Sequence, residues 1–206
     1  RISAGTGDIT LMPARDGNVS IDSHAEGTLH TPRVAVDVTG SDVSVTGGCS
    51  EFTFGRCRAD LLVRVPEGTA VRVDASSGNL AADGLSGDVD LRTSSGDVVA
   101  RGLSGTVMLK SASGDVDGLD LSASAVSART SSGDATLTFT SPPSAAEAWT
   151  ASGDVTIEVP PGPEKYRVDL ETASGDRQLG VETSESSAHV LRAHTNSGDA
   201  TVGYRP

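Results

Sequence analysis

Aromatic side chains are scarce in this chain: one Trp, two Tyr and three Phe make up 3% of its 206 residues. Enzymes that cleave polysaccharides on β-helical scaffolds need aromatic platforms for sugar rings beside convergent carboxylates, so this shortage argues against that class. Lysine is limited to Lys110 and Lys165, and the 16 basic residues are outnumbered by 28 acidic ones, for a net charge of −12. Such a charge repels phosphate backbones and anionic headgroups and supplies no basic stripe. Nucleic acid and the bare membrane surface are therefore excluded as expected partners. No apolar run approaches the roughly 18 residues of a membrane helix, so this segment is not expected to insert in a bilayer. The chain opens at Arg1 with neither an initiator Met nor an apolar leader, which leads to the expectation of a processed or excised portion.

Cysteine is limited to two residues, Cys49 and Cys57. They enclose Ser50-Glu51-Phe52-Thr53-Phe54-Gly55-Arg56, a separation that fits a hairpin closed by a disulfide. Two buried thiols are the alternative. A metal site lacks a second Cys pair or a nearby His to complete four ligands. A bridge places the protein outside the cytoplasm, and reduced thiols place it inside.

What the chain does have is a repeat. Ser-Gly-Asp or Ser-Gly-Asn recurs with its glycine at Gly78, Gly96, Gly114, Gly133, Gly153, Gly175 and Gly198, at intervals of 18, 18, 19, 20, 22 and 23 residues. Five residues before each glycine stand Val73, Leu91, Leu109, Ala128, Ala148, Leu170 and Ala193, and seven before stand Val71, Val89, Val107, Val126, Ala146, Val168 and Leu191. All are apolar. Between them, Asp74, Arg92, Lys110, Arg129, Trp149, Glu171 and His194 form a column that alternation directs to solvent. Two residues after the glycines come Leu80, Val98, Val116, Ala135, Val155, Arg177 and Ala200, an apolar column that Arg177 breaks. Each unit thus reads strand, Ser-Gly-Asp corner, strand, second corner. The second corner shows as Gly84-Leu85-Ser86-Gly87 and Gly102-Leu103-Ser104-Gly105.

A sandwich imposes no recurring identity at a fixed offset, whereas units that each stack on their predecessor do. The expected fold is all-β, a single-stranded β-solenoid of about seven rungs of 18–23 residues. Residues 1–206 read as one elongated domain, with 1–66 an irregular β cap and 67–206 the regular array. Gly7-Asp8-Ile9-Thr10-Leu11 and Gly17-Asn18-Val19-Ser20-Ile21 echo the repeat within the cap. Further short strands are expected at 34–38, 43–45, 52–54 and 61–65.

The Ser-Gly-Asp-Val ladder, the approach Leu61-Leu62-Val63-Arg64-Val65-Pro66-Glu67-Gly68 and the closing Thr195-Asn196-Ser197-Gly198-Asp199-Ala200-Thr201-Val202 together resemble the toastrack family of bacterial β-repeat domains. These are adhesin-type domains related to the head GIN domains. The resemblance spans essentially the whole chain and implies a β-helix-like fold and association with the cell envelope through adhesion or stress-response systems. It implies no enzymatic activity and no catalytic residues.

Among candidate chemical groups, Asp97, Asp115, Asp134, Asp154, Asp176 and Asp199 would form a line of carboxylates about one strand spacing apart, repelling by roughly 1 kcal/mol per neighbour in water. Two arrangements relieve this: each Asp accepts backbone N–H groups within its own turn, or a cation such as calcium bridges neighbours. The turn reading is preferred, and Asp97, Asp115, Asp134 and Asp154 stand only as weak metal candidates because the Gly-Gly-x-Gly-x-Asp calcium repeat is absent. The histidines, His24, His30, His189 and His194, accompany no Gly-x-Ser-x-Gly elbow and no metal-binding spacing, and read as surface or loop residues. Trp149, beside Pro142-Pro143 and near Tyr166, is a candidate ligand patch. Thr130, Thr150, Thr172 and Thr195 form one column without the neighbour column that ice binding requires.

No catalytic residues and no cofactor are expected. The reading is a binding or interaction module of the bacterial cell envelope whose partner is a protein or an envelope polymer. The alternative is a structural scaffold that stacks end to end.

Overall fold

A computed structural model describes residues 1–27, 33–39, 42–48 and 57–206. Cys49, His30, the 52–54 segment and the Cys57 side chain lie outside the described residues, and the expected bridge with them. The first strands are β1 (Ile2–Thr6), β2 (Ile9–Pro13), β3 (Ser20–Gly27), β4 (Arg33–Thr39), β5 (Asp42–Gly48) and β6 (Cys57–Val65). The regular array supplies β7 (Val71–Ser77), β8 (Leu80–Asp83), β9 (Val89–Thr93), β10 (Val98–Arg101), β11 (Val107–Lys110), β12 (Val116–Leu121), β13 (Ala125–Arg129) and β14 (Ala135–Phe139). It continues through β15 (Ala145–Ser152), β16 (Val155–Val159), β17 (Arg167–Ser174), β18 (Arg177–Leu179), β19 (Val190–Ser197) and β20 (Ala200–Tyr204).

The described residues hold strands and no helix. They form two sheets that run face to face, neither of which closes into a barrel. The first is ordered β17-β19-β15-β13-β11-β9-β7-β1-β5-β4 and the second β18-β20-β16-β14-β12-β10-β8-β2-β6-β3. Each repeat unit gives one strand to each sheet, and neighbouring units pair in parallel with like residues opposite like. Val98 faces Val116 and Leu80, and Val107 faces Val126 and Val89. Among the described residues only β3 on β6 and β4 on β5 are antiparallel, at one end.

Alternating apolar positions point between the sheets and form one continuous core from Ile2 and Ile9 to Leu191 and Val202. Leu85 and Leu103, from the second corners, are buried and fill the gap between sheets on that side. The Ser-Gly-Asp side is closed by hydroxyls. Thr93, Ser111, Thr130, Thr150 and Thr195 are buried, and Thr130 Oγ1 donates to the Gly114 carbonyl of the adjacent unit at 2.9 Å. Ser111, Thr150 and Thr195 repeat that bond to Gly96, Gly133 and Gly153, each at 2.9 Å. The threonine column read from the sequence thus points inward, where its job is to satisfy buried corner carbonyls. This removes it from any surface role.

The corner glycine is what lets units approach so closely. In the array its φ runs from 128° at Gly78 to 145° at Gly175, a region open in practice to glycine alone. A Cβ on Gly114 would meet the Gly96 carbonyl oxygen at 2.2 Å. Backbone therefore stacks directly on backbone along the whole corner.

The order of stacking differs from the order of the chain at both ends, contrary to the expectation that each unit stacks on its predecessor. The last unit, β19–β20, lies between β15–β16 and β17–β18, and the first, β1–β2, lies between β5–β6 and β7–β8. Arg177 gives the physical reason at the C-terminal end. It occupies an inward position, and a guanidinium cannot be enclosed by Val and Ile without a large desolvation cost. The unit that carries it is outermost, where Arg177 and Leu179 are exposed, while Leu191, Ala193, Ala200 and Val202 of the inserted unit are fully buried. The connections 160–166 and 180–189 are long enough to pass one unit outward and return. At the other end, β1–β2 pairs in parallel register with β7 and β8.

Two glycine substitutions compare the packed corner with an open turn. Gly114→Ala is expected to cost more than about 3 kcal/mol because the Gly96 carbonyl must move and the side chain is strained at a φ of 141°. Gly68→Ala, with φ of 71° and nothing within 4 Å of the added carbon, is expected to cost about 1–2 kcal/mol from left-handed backbone alone. Chemical denaturation of both variants measures the difference, and equal costs would refute the role given to the corner contact.

Candidate functional site

Register converts each outward position into a row of side chains running across a sheet. On the first sheet one row reads Asp74, Arg92, Lys110, Arg129, Trp149, His194 and Glu171, and its neighbour Arg72, Asp90, Met108, Ser127, Glu147, Arg192 and Asp169. The second sheet presents Thr10, Ala81, Val99, Asp117, Thr136, Thr156, Thr201 and Gln178 in the corresponding row. One face is thus densely charged and the other small and mostly neutral.

Ion pairs link the charged face. Arg72 Nε lies 3.0 Å from Asp74 and its Nη1 3.5 Å from Asp90, while Arg92 Nε donates to Asp90 at 2.8 Å. Arg129 pairs with Glu147. Arg72 holds the Asp74 carboxyl below the usual carboxylate range, chiefly by a hydrogen bond that outweighs desolvation. Exposed pairs of this kind contribute about 0–1 kcal/mol each, so the fold does not rely on them and they are free to exchange for a partner's groups.

At the centre of this face Arg92, Lys110 and Arg129 stand on three successive strands, a basic strip in a strongly acidic protein. Lys110 makes no ion pair among the described residues. Beside it Met108 is 44% exposed, with its sulfur 3.3 Å from Arg92 Nη2. A groove of about 420 Å³ opens next to Met108, lined by Arg72, Asp88, Asp90 and Thr106. Net charge concealed this strip, because a long column of aspartates gathers elsewhere.

Their place is the Ser-Gly-Asp corner. The Asp115 amide donates to Asp97 Oδ1 at 3.0 Å, Asp134 to Asp115, Asp154 to Asp134, Asp199 to Asp154 and Asp176 to Asp199, the last four at 2.8 Å. Asn79, Asp8 and Asp60 continue the chain of bonds at the other end. Each carboxylate accepts the amide of the adjacent unit. The expectation of bonds within each turn is corrected accordingly, since parallel stacking brings the neighbour's N–H nearer than the turn's own. For the weak metal candidates Asp97, Asp115, Asp134 and Asp154, one oxygen each is occupied in this way.

The other sequence candidates scatter. Trp149 is half-buried between Arg129 and His194 on the first sheet. Tyr166 does not join it: its ring is fully buried and meets His189 edge-on at 5.9 Å, and burial pushes its hydroxyl up to about 12. His189 Nδ1 lies 2.7 Å from the Pro143 carbonyl oxygen, tying two second-corner connections together. His24 is on β3 and His194 on β19. The structure does bring His194 together with Asp169 and Glu171, a grouping that sequence reasoning missed because Asp169 lies in the second outward row.

Residues 67–203 match the family described as Toastrack DUF4097. The chain belongs to that family. The Toastrack match begins at the Pro66-Glu67-Gly68 turn and takes in every Ser-Gly-Asp corner. Among solved structures, the chain is similar to a "putative adhesin" from Bacteroides fragilis NCTC 9343, at 16% identity and a TM-score of 0.50, covering 99% of this chain and 91% of that one. It is also similar to a "putative cell adhesion protein" from Clostridium sporogenes ATCC 15579, at 10% identity and a TM-score of 0.43, with the same coverage. No curated protein matches the chain.

One Toastrack carboxylate carries a cost. Asp117, in the outward row of the second sheet, has its pKa raised above the ordinary 3.8, first by partial burial and then by the charges of Asp115, Asp97 and Asp134. The folded state therefore holds this proton more tightly than the unfolded chain does. Stability is lost as pH rises through the raised value, and the cost is complete at neutral pH. Asp117→Asn is expected to raise Tm at pH about 7 and to leave it unchanged at pH about 3, below the ordinary aspartate value. Thermal unfolding at both pH values checks this, and a variant less stable at neutral pH would contradict it.

Proposed function

We propose that this Toastrack chain is a non-catalytic binding module of a bacterial cell envelope, and that it engages a surface protein or envelope polymer through the charged face of its first sheet. The observation that carries the reading is the strip Arg92, Lys110 and Arg129 with exposed Met108 beside it. Three cations in one row on a rigid sheet suit a repetitive acidic ligand, and ligand spacing could match strand spacing of about 4.8 Å. Family membership and a fold shared with a "putative adhesin" support the location and the class. We take the whole stack as a β-solenoid, one elongated domain built around seven Ser-Gly-Asp rungs of 18–23 residues, with residues 1–66 largely capping it. No helix among the described residues is long and apolar enough to cross a membrane.

A second reading rests on the outermost unit. Val168 and Leu170 are only half-buried and Leu179 is 51% exposed, so β17 and β18 offer open strand edges above an incompletely covered core. Such edges invite pairing with another strand, as a scaffold stacking end to end would require.

Co-sedimentation of the purified chain with isolated bacterial envelope material, titrated to saturation, tests the first reading. Saturable binding is expected, weakened at least about tenfold by the double change Arg92→Glu and Arg129→Glu; absence of saturable binding overturns it. Analytical ultracentrifugation separates the second reading, which requires concentration-dependent oligomers that Leu179→Glu abolishes.

A further inference from the structure

The outermost pair of strands on the charged face carries a group of side chains that the binding strip does not use. Register places Glu171 directly opposite His194, and Asp169 two residues before Glu171 on the same face of β17. One ligand atom from each of the three lies within 4.8 Å of those from the others. His194 Nε2 is 3.2 Å from Asp169 Oδ2, yet it is sealed from solvent and makes no hydrogen bond. A ring nitrogen held against a carboxylate, but not aimed to donate to it, is left with an unsatisfied lone pair or proton in a place water does not reach.

We propose that Asp169, Glu171 and His194 form a binding site for one transition-metal dication of the zinc type. An ion about 2.0–2.2 Å from each donor in a tetrahedral arrangement sets neighbouring donor atoms a little over 3 Å apart, close to the Nε2–Oδ2 separation found. One imidazole and two carboxylates match the donor preference of zinc, cobalt or copper ions. Calcium and magnesium require six or more oxygens, or several retained waters, and gain little from an imidazole. The two carboxylates balance the charge of a dication. Arg192, opposite Asp169, and Trp149, opposite His194, border the site on the inner side. The backbone of two hydrogen-bonded parallel strands holds the donors in place before any ion arrives. Binding would also tie β17, the last strand of the sheet, to β19. The site is independent of the envelope reading and stands or falls separately from it.

Trp149 is the only tryptophan in the chain and sits one strand from His194, so it reports the site directly. The experiment uses the whole chain with metal salts alone: zinc chloride followed by calorimetry, and cobalt chloride followed by quenching of Trp149 emission. The expected result is saturable one-to-one binding of zinc, matching cobalt quenching that zinc reverses, and no competition from millimolar calcium or magnesium. His194→Ala and Glu171→Gln are each expected to weaken binding at least about tenfold, while Asp115→Asn, in the corner ladder, leaves it unchanged. All three residues stand on the outward face of the sheet, outside the core, so these variants are expected to keep the metal-free Tm of the parent chain. Should a variant unfold, zinc-induced elevation of the parent's Tm and its reversal by chelator still test the site. Absence of saturable zinc binding, or binding undiminished in His194→Ala, overturns the proposal.

Discussion

Everything in this molecule follows from one contact, the corner glycine of one repeat unit lying against the carbonyl of the corner glycine beside it. At Gly114 there is no room for even a methyl group. That approach sets the spacing of the units to that of hydrogen-bonded strands and holds them in parallel register, so a residue at a given offset from the glycine lies beside its counterpart. Rows of like residues are the result. In the interior this gives Val on Val and Thr hydroxyl on glycine carbonyl, and on the surface it gives rows of charge.

Rows of like charge need relief, and the structure supplies it in two ways. At the corner, each aspartate accepts the amide of its neighbour, which turns a column of repelling carboxylates into a continuous run of charge-assisted hydrogen bonds. On the first sheet, arginines pair with acids from the adjacent row and, for Arg72 and Asp90, from the same row. The acidic net charge is thus concentrated along one edge of the stack, and a face with its own basic strip survives some distance away. Because the core and corner carry stability, the sequence of that face is free to vary.

The ends are where the regularity stops and chemistry varies. Arg177 in an inward position, the half-covered Val168 and Leu170 and the Asp169, Glu171 and His194 group all belong to the last units in space. An outermost unit has one neighbour instead of two, so side chains that burial would forbid elsewhere are permitted there.

Much of this was legible in the sequence. The Ser-Gly-Asp period marked the corners, alternation separated core columns from surface columns, and Glu171 and His194 already fell in one outward column. Periodicity is local, set by chain geometry within a few residues, so the sequence by itself determined the strands, the corners and which side chains share a row. It did not determine that the threonines turn inward, that each aspartate bonds to the next unit, that the last unit is inserted beneath its predecessor, or that Asp169 stands beside His194. Those depend on contacts between units, which are chosen by burial across the whole stack. Only the tertiary structure decides them, because the cost of enclosing Arg177 and the gain from covering Ala200 and Val202 exist only once neighbouring units are in place.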